Sequence, residues 1–112
     1  MPNAPAVKRI FMPDILSAAA EPSRRRILQL LVSGPRTVND LAANLAMTRS
    51  ALSQHLGVLA EVGLVVGRKE GRRRIYSEVP AGMAQLRQEL ERFWTTELDL
   101  LVADATARTF DR

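Results

Sequence analysis

Thr48, Arg49, Ser50, Ser53, Gln54 and His55 crowd the front of the segment "TRSALSQHLGVLAEVGLV", residues 48–65. These side chains suit the reading of nucleic acid. Arginine pairs bidentately with guanine and glutamine with adenine, while serine or threonine meets a base edge or a phosphate. Behind them Leu52, Leu56 and Leu59 recur at helical steps and demand a buried face. Thr48 is a suitable N-cap, and the unpaired N–H groups and positive dipole end at a helix start favour a phosphate. Any one of these polar residues is explained better by a solvated helix face, or for Thr48 by its cap alone. It is the set, directly after a tight turn between two helices, that points to DNA. His55 sits beside Leu56, where it can donate to a phosphate or to a neighbouring carbonyl. No acidic or nucleophilic partner lies near it in sequence, so a structural or phosphate role is expected rather than catalysis.

A second constellation is "GRKEGRRR", residues 67–74, in which Arg68, Lys69, Arg72, Arg73 and Arg74 face only Glu70 in opposition. Such a cluster repels itself unless an anion is present. A DNA backbone or the adjoining minor groove is the natural one; a solubilising strand edge is the plainer reading. Beside the preceding helices, DNA is favoured. Strand alternation also turns some of these arginines back over the protein. Arg24, Arg25 and Arg26 form a further basic group of less weight, since early helical turns of this kind can be salt-bridged to acidic neighbours.

Other chemistries find little support. The 112 residues contain no cysteine and one histidine. That removes disulfides, thiolate metal sites and cysteine nucleophiles, and leaves zinc carboxylates almost alone, which suit it poorly. No metal or cofactor is expected. Asp14, Asp40, Glu61 and Glu70 are scattered, and neither a glycine-rich phosphate loop nor a nucleophile elbow is present, so an enzyme is not indicated. The net charge of +4 is modest, and its placement matters more than its sum. No apolar run is long enough to span a bilayer, and "MPNAPAVKRIF" does not read as a signal peptide, so a cytoplasmic protein is expected.

The elements that would position these residues follow from periodicity. Residues 1–11 read as a loose arm. "MPDILSAAA" reads as a short helix with Pro13 in its first turn. "EPSRRRILQLLVSGP" reads as a second helix, starting at Glu21–Pro22, striped by Ile27, Leu30 and Leu31, and stopped by Gly34–Pro35. "TVNDLAANLA" (37–46) opens with a Thr37–Asp40 capping box and presents Leu41 and Leu45. The Thr48 helix runs to about Val62 and ends at Gly63 in the left-handed position. "LVVGRKEGRRRIYSEV" changes period and predicts a β-hairpin turning near Glu70–Gly71. From about Ala81 to Ala107 a long helix returns, and 108–112 form a tail.

The order helix, helix, helix, helix, hairpin, long helix is that of a winged helix-turn-helix, a mainly α fold in one domain over residues 12–107. The last helix has more apolar surface than a small domain needs. Leu90, Phe93, Trp94, Leu98 and Leu101 predict an interface with a second copy of the chain. Two recognition helices would then read two half-sites of double-stranded DNA. An alternative is a protein-interaction module that docks an acidic partner through the basic hairpin.

"EPSRRRILQLL", "TVNDLAANLAMTRSALSQHLGVLAEVGLV" and "GRRRIY" together resemble the ArsR-type winged-helix repressors, from about Asp14 to Tyr76. The resemblance implies a homodimer that binds an inverted-repeat operator, represses transcription and is released by an effector. It also implies dimerisation through the first and last helices, which adds Ile15 and Leu16 of the first to the interface. Metal-sensing members carry cysteines in the stretch matching "TVNDLA", where Thr37 and Asn39 stand here; others use His and carboxylates on the last helix, which here has Glu97, Asp99 and Asp104 but no His. The chain therefore resembles members without a metal sensor, and its effector is unknown.

Overall fold

The computed structural model describes residues 14–110, with side chains to 107. The expected N-terminal arm and Pro13 lie outside the described residues. Among the described residues, five helices and three strands follow in order: α1 (Ile15–Ala20), α2 (Pro22–Leu31), β1 (Arg36–Thr37), α3 (Val38–Leu45), α4 (Arg49–Glu61), β2 (Val65–Glu70), β3 (Arg73–Glu78) and α5 (Pro80–Phe110). The architecture is a winged helix-turn-helix. None of the described helices is long and apolar enough to cross a membrane.

Each of the first four helices starts where a side chain satisfies orphan N–H groups. The Asp14 carboxylate accepts from the Ser17 amide at 2.7 Å. Glu21 accepts from Ser23 and Arg24 at 3.2 and 3.0 Å, with Pro22 supplying a preset φ at the first helical position. Thr37 and Thr48 accept from Asp40 and Ala51 at 3.0 and 3.1 Å. The Thr37 box is only half made, because the Asp40 carboxylate is drawn to Arg36 at 2.8 Å and to Asn44 at 3.3 Å.

The close of α4 is a full Schellman turn. Gly63 adopts φ +82°, its N–H reaches Ala60 O at 3.1 Å, and Leu64 N reaches Leu59 O at 2.9 Å. Leu64 is thereby driven into the core. The turn between α3 and α4 uses Ala46 at φ 51° instead of a glycine, a conformation costing about 1 kcal/mol or more for a residue with a Cβ.

The core gathers Ile27, Leu31, Leu41, Leu52, Leu56, Leu59 and Leu64, all essentially inaccessible. Each contributes about 1.5–3 kcal/mol of burial, enough to lock α2, α3 and α4 against one another. The hairpin turns at Gly71–Arg72, with Glu70 opposite Arg73. Gly71 takes φ 63° while Arg72 stays negative, the pattern of a II′ turn. The third strand has no counterpart in the sequence-based expectation. The two residues of β1 pair antiparallel with β3, Arg36 with Tyr76 and Thr37 with Ile75, so β3 is central in the order β1-β3-β2. The pairing ties the hairpin to the start of α3.

α5 extends to Phe110, past the residue 107 expected for its end. Its first turns pack on the core through Met83 and Leu86. From Leu90 to Ala107 every residue is exposed, and the molecule measures 67 × 40 × 25 Å as a result.

Candidate nucleic-acid interface

The opposition between leucines and polar residues along the Thr48 segment is realised in α4. Leu52, Leu56 and Leu59 are buried, while Thr48, Arg49, Ser50, Ser53 and Gln54 are exposed. The tight turn Ala46–Met47–Thr48 brings α4 back against α3, whose Leu41 and Leu45 join the same core. Burial on one side therefore holds the polar residues outward on a rigid element.

His55 is placed apart from the other five. Its side chain is 23% accessible, and Nδ1 lies 3.6 Å from Glu21 Oε2 and 3.4 Å from Arg24 Nη1. The acidic neighbour that sequence proximity does not supply comes from the start of α2. Two backbone amide donors, that of Arg24 foremost and then that of Ser23, hold the Glu21 carboxyl below its ordinary range against the opposing effect of burial. Arg24 in turn donates from Nε to the Ala18 carbonyl at 2.7 Å. This small network joins α1, α2 and α4. It also accounts for Arg24 as structural, whereas Arg25 and Arg26 remain exposed.

The hairpin places Arg68, Lys69, Arg72, Arg73 and Arg74 on exposed positions. They are not equivalent. Arg68 pairs with Glu70 at 3.3 Å. Arg74 turns back along the sheet, donating to the Tyr76 hydroxyl at 3.2 Å with its guanidinium 5.6 Å from the ring centre. The Tyr76 ring lies over Gly67, its cross-strand partner, where a Cβ would come within 2.8 Å of the ring.

Between α3, α4 and the hairpin runs a cleft of about 260 Å³, lined by Arg49, Ser53, Arg72, Arg73 and Arg74 together with Thr37 and Asn39. Arg49 donates to the Asn39 side-chain carbonyl. The sequence pattern singles out the two basic groups separately. It does not reveal that α3 supplies the residue between them, since Asn39 carries no motif of its own. Among the described residues no group of three or more potential metal ligands is brought together.

Away from this cleft, α1, α2 and α5 line an apolar groove of about 680 Å³ reaching from Leu16 and Leu28 to Leu90, Phe93 and Trp94. Phe93 and Trp94 meet edge to face at 5.6 Å yet remain 46% and 51% exposed. Leu98 and Leu101 continue the apolar surface beyond them. One of the expected outer residues is corrected. Ile15 is buried in this chain's own core, because the Asp14 cap orients α1 with Ile15 and Ala18 inward. Val32, at the end of α2, is exposed beside the groove, a position that the helical stripe of Ile27, Leu30 and Leu31 does not single out.

Comparison with known proteins agrees with this architecture. Residues 21–66, from the cap of α2 into β2, match the arsR family of bacterial regulatory proteins. The HTH-type transcriptional regulator Rv2034 of Mycobacterium tuberculosis is 47% identical over 81 residues, which is 72% of this chain and 76% of that protein. A crystal structure described as a possible transcriptional regulator for arsenical resistance superposes with a TM-score of 0.74 at 58% identity, covering 83% of this chain and 97% of that one. The homodimeric winged helix-turn-helix DNA-binding domain of Mb0332 from Mycobacterium bovis superposes at 0.60 with 30% identity, over 76% and 79% of the two chains. Fold, matched segment and relatives converge, and the chain belongs to the ArsR family, transcriptional regulators with a helix-turn-helix DNA-binding domain rather than enzymes.

Proposed function

We propose that the chain acts in the cytoplasm as a homodimeric repressor that binds an inverted-repeat operator. The exposed front of α4 enters the major groove, where Ser50 and Gln54 meet base edges. The hairpin arginines lie along the flanking backbone. The apolar groove of α1, α2 and α5, continued by Leu98 and Leu101, closes against the same surface of a second chain. Two copies then present two recognition helices, and occupancy of the site excludes the transcription machinery. The homodimeric Mb0332 domain supports the assembly by analogy.

The observation that carries this reading is the split of α4 into a buried leucine stripe and an exposed polar front, immediately after a tight helix–helix turn. The test is selection of duplexes by the purified chain from a random library, followed by footprinting. The expected result is a twofold-symmetric site whose half-sites lie about 10–10.5 base pairs, or a multiple, apart. Binding to selected duplexes no tighter than to random ones would instead favour a module that docks an acidic protein through its hairpin.

A further inference from the structure

The exposed front of α4 is not a single surface. At about 100° per residue, Ser50 and Gln54 lie opposite the leucine stripe, Arg49 and Ser53 lie on one flank, and His55 lies on the other. The flank of Arg49 and Ser53 is the one that borders the cleft shared with α3 and the hairpin.

That cleft is a concentration of uncompensated positive charge. Among the described residues, no carboxylate is within ion-pairing distance of Arg49, Arg72, Arg73 or Arg74. The two nearby acids are engaged elsewhere, Asp40 with Arg36 at 2.8 Å and Glu70 with Arg68 at 3.3 Å. The partners that Arg49 and Arg74 do have are neutral, the Asn39 amide and the Tyr76 hydroxyl. Lys69 stands directly across the hairpin from Arg74, a like-charge pairing that opposes the strand register. Donors other than arginine converge as well. Thr37 Oγ1 already accepts from the Asp40 amide, which leaves its hydroxyl proton to donate.

We infer that this cleft is an oxyanion seat for one phosphodiester group of the bound DNA strand, with Arg49 and Ser53 as donors and Asn39 as the residue that positions the Arg49 guanidinium. The inference rests on the DNA-binding reading above and sharpens it. Arg49, whose residue type predicts a guanine contact, is drawn by Asn39 toward the backbone, and base discrimination falls to Ser50 and Gln54. A phosphate carried by a small molecule has the same chemistry; the DNA strand is favoured because the cleft adjoins the face that enters the groove.

The test measures binding as a function of salt, on a random-sequence duplex and on a selected operator, for the wild type, Arg49→Ala, Arg49→Lys and Asn39→Ala. Arg49→Ala is expected to weaken both duplexes by one common factor and to reduce the salt slope by about one for each chain bound, about two for the homodimer. Arg49→Lys restores the slope, since a phosphate needs the charge more than the fork. Asn39→Ala weakens both duplexes by a smaller common factor with its slope intact. A change in preference at a single base pair in Arg49→Ala, with an unchanged slope, overturns the seat. The slope on random DNA requires no operator. A wild type without operator preference therefore sinks the repressor reading, while the seat still stands or falls on its slope. Nuclear magnetic resonance of the Asn39 side-chain amide separates the sources at matched ionic strength. A shift with duplex supports the strand, whether or not inorganic phosphate also moves it. A shift with phosphate alone, or with neither, overturns the assignment.

Discussion

Gly82, in the first turn of α5, lies directly against the carbonyl of Gly63, the left-handed residue that closes α4. A Cβ at position 82 would fall on that oxygen, 2.8 Å from the Gly63 carbonyl carbon and 3.3 Å from Leu64 Cα. These are backbone atoms held by the Schellman turn and by the hydrogen bond from Val79 N to Leu64 O at 2.9 Å, so they cannot swing aside. Gly82→Ala is expected to cost about 1–3 kcal/mol through overpacking and to loosen α5 from the core. Urea denaturation measures it, and an unchanged midpoint would show that the two segments are not in contact.

Gly57→Ala should act in the opposite direction. Gly57 lies within α4, on its exposed side, and a methyl group added there would meet nothing within 4 Å. Replacing it relieves the entropic penalty of glycine in a helix and should raise stability by about 0.5–1 kcal/mol. A lower melting temperature for Gly57→Ala would contradict the placement.

Glu21 gives the fold an acid-sensitive joint. Its carboxyl is lowered from 4.5 chiefly by the Arg24 amide, with Ser23, His55 and the Arg24 charge adding to it. The unfolded chain therefore binds the proton more readily than the folded one, so the contribution of this group is complete above 4.5 and is lost as pH falls through the depressed value. Melting temperature followed against pH should show a gap between wild type and Glu21→Gln that narrows on acidification. A gap that is constant with pH would remove the linkage.

Base reading and backbone holding should separate by mutation. Gln54→Ala is expected to lose about 1–3 kcal/mol per half-site and to relax preference at one position of each. Arg72→Ala or Arg73→Ala should weaken all duplexes alike and flatten the salt dependence. If Gln54→Ala retained full base preference, α4 would not be the reading element.

Phe93→Ala and Trp94→Ala should each weaken self-association, by about 2 kcal/mol or more if these rings anchor the interface. Both side chains are half exposed in the single chain, so folding should survive. Sedimentation equilibrium gives the answer, and an unaltered association constant in both variants would place the dimer contact elsewhere.

Much of this protein is legible in residue order because it is governed by neighbours in the chain. The caps at Glu21, Thr37 and Thr48, the leucine stripe of α4, the left-handed Gly63 and the arginine hairpin each depend on residues within one or two turns. Their chemistry is complete before any tertiary contact forms. Fold class and the polar front of α4 follow from them.

Other features were decided only when distant segments met. The two-residue β1 has no periodicity to announce it, and exists because Arg36 and Thr37 find Tyr76 and Ile75 across the sheet. His55 acquires Glu21 and Arg24 from the start of α2, and Arg49 acquires Asn39 from α3. Ile15 turns inward, and Gly82 matters only because Gly63 is there. Local periodicity assigns a side chain to a helix face, but which neighbour that face meets depends on how the helices cross. That crossing is set by the collective packing of α2, α3 and α4, a property of the folded whole.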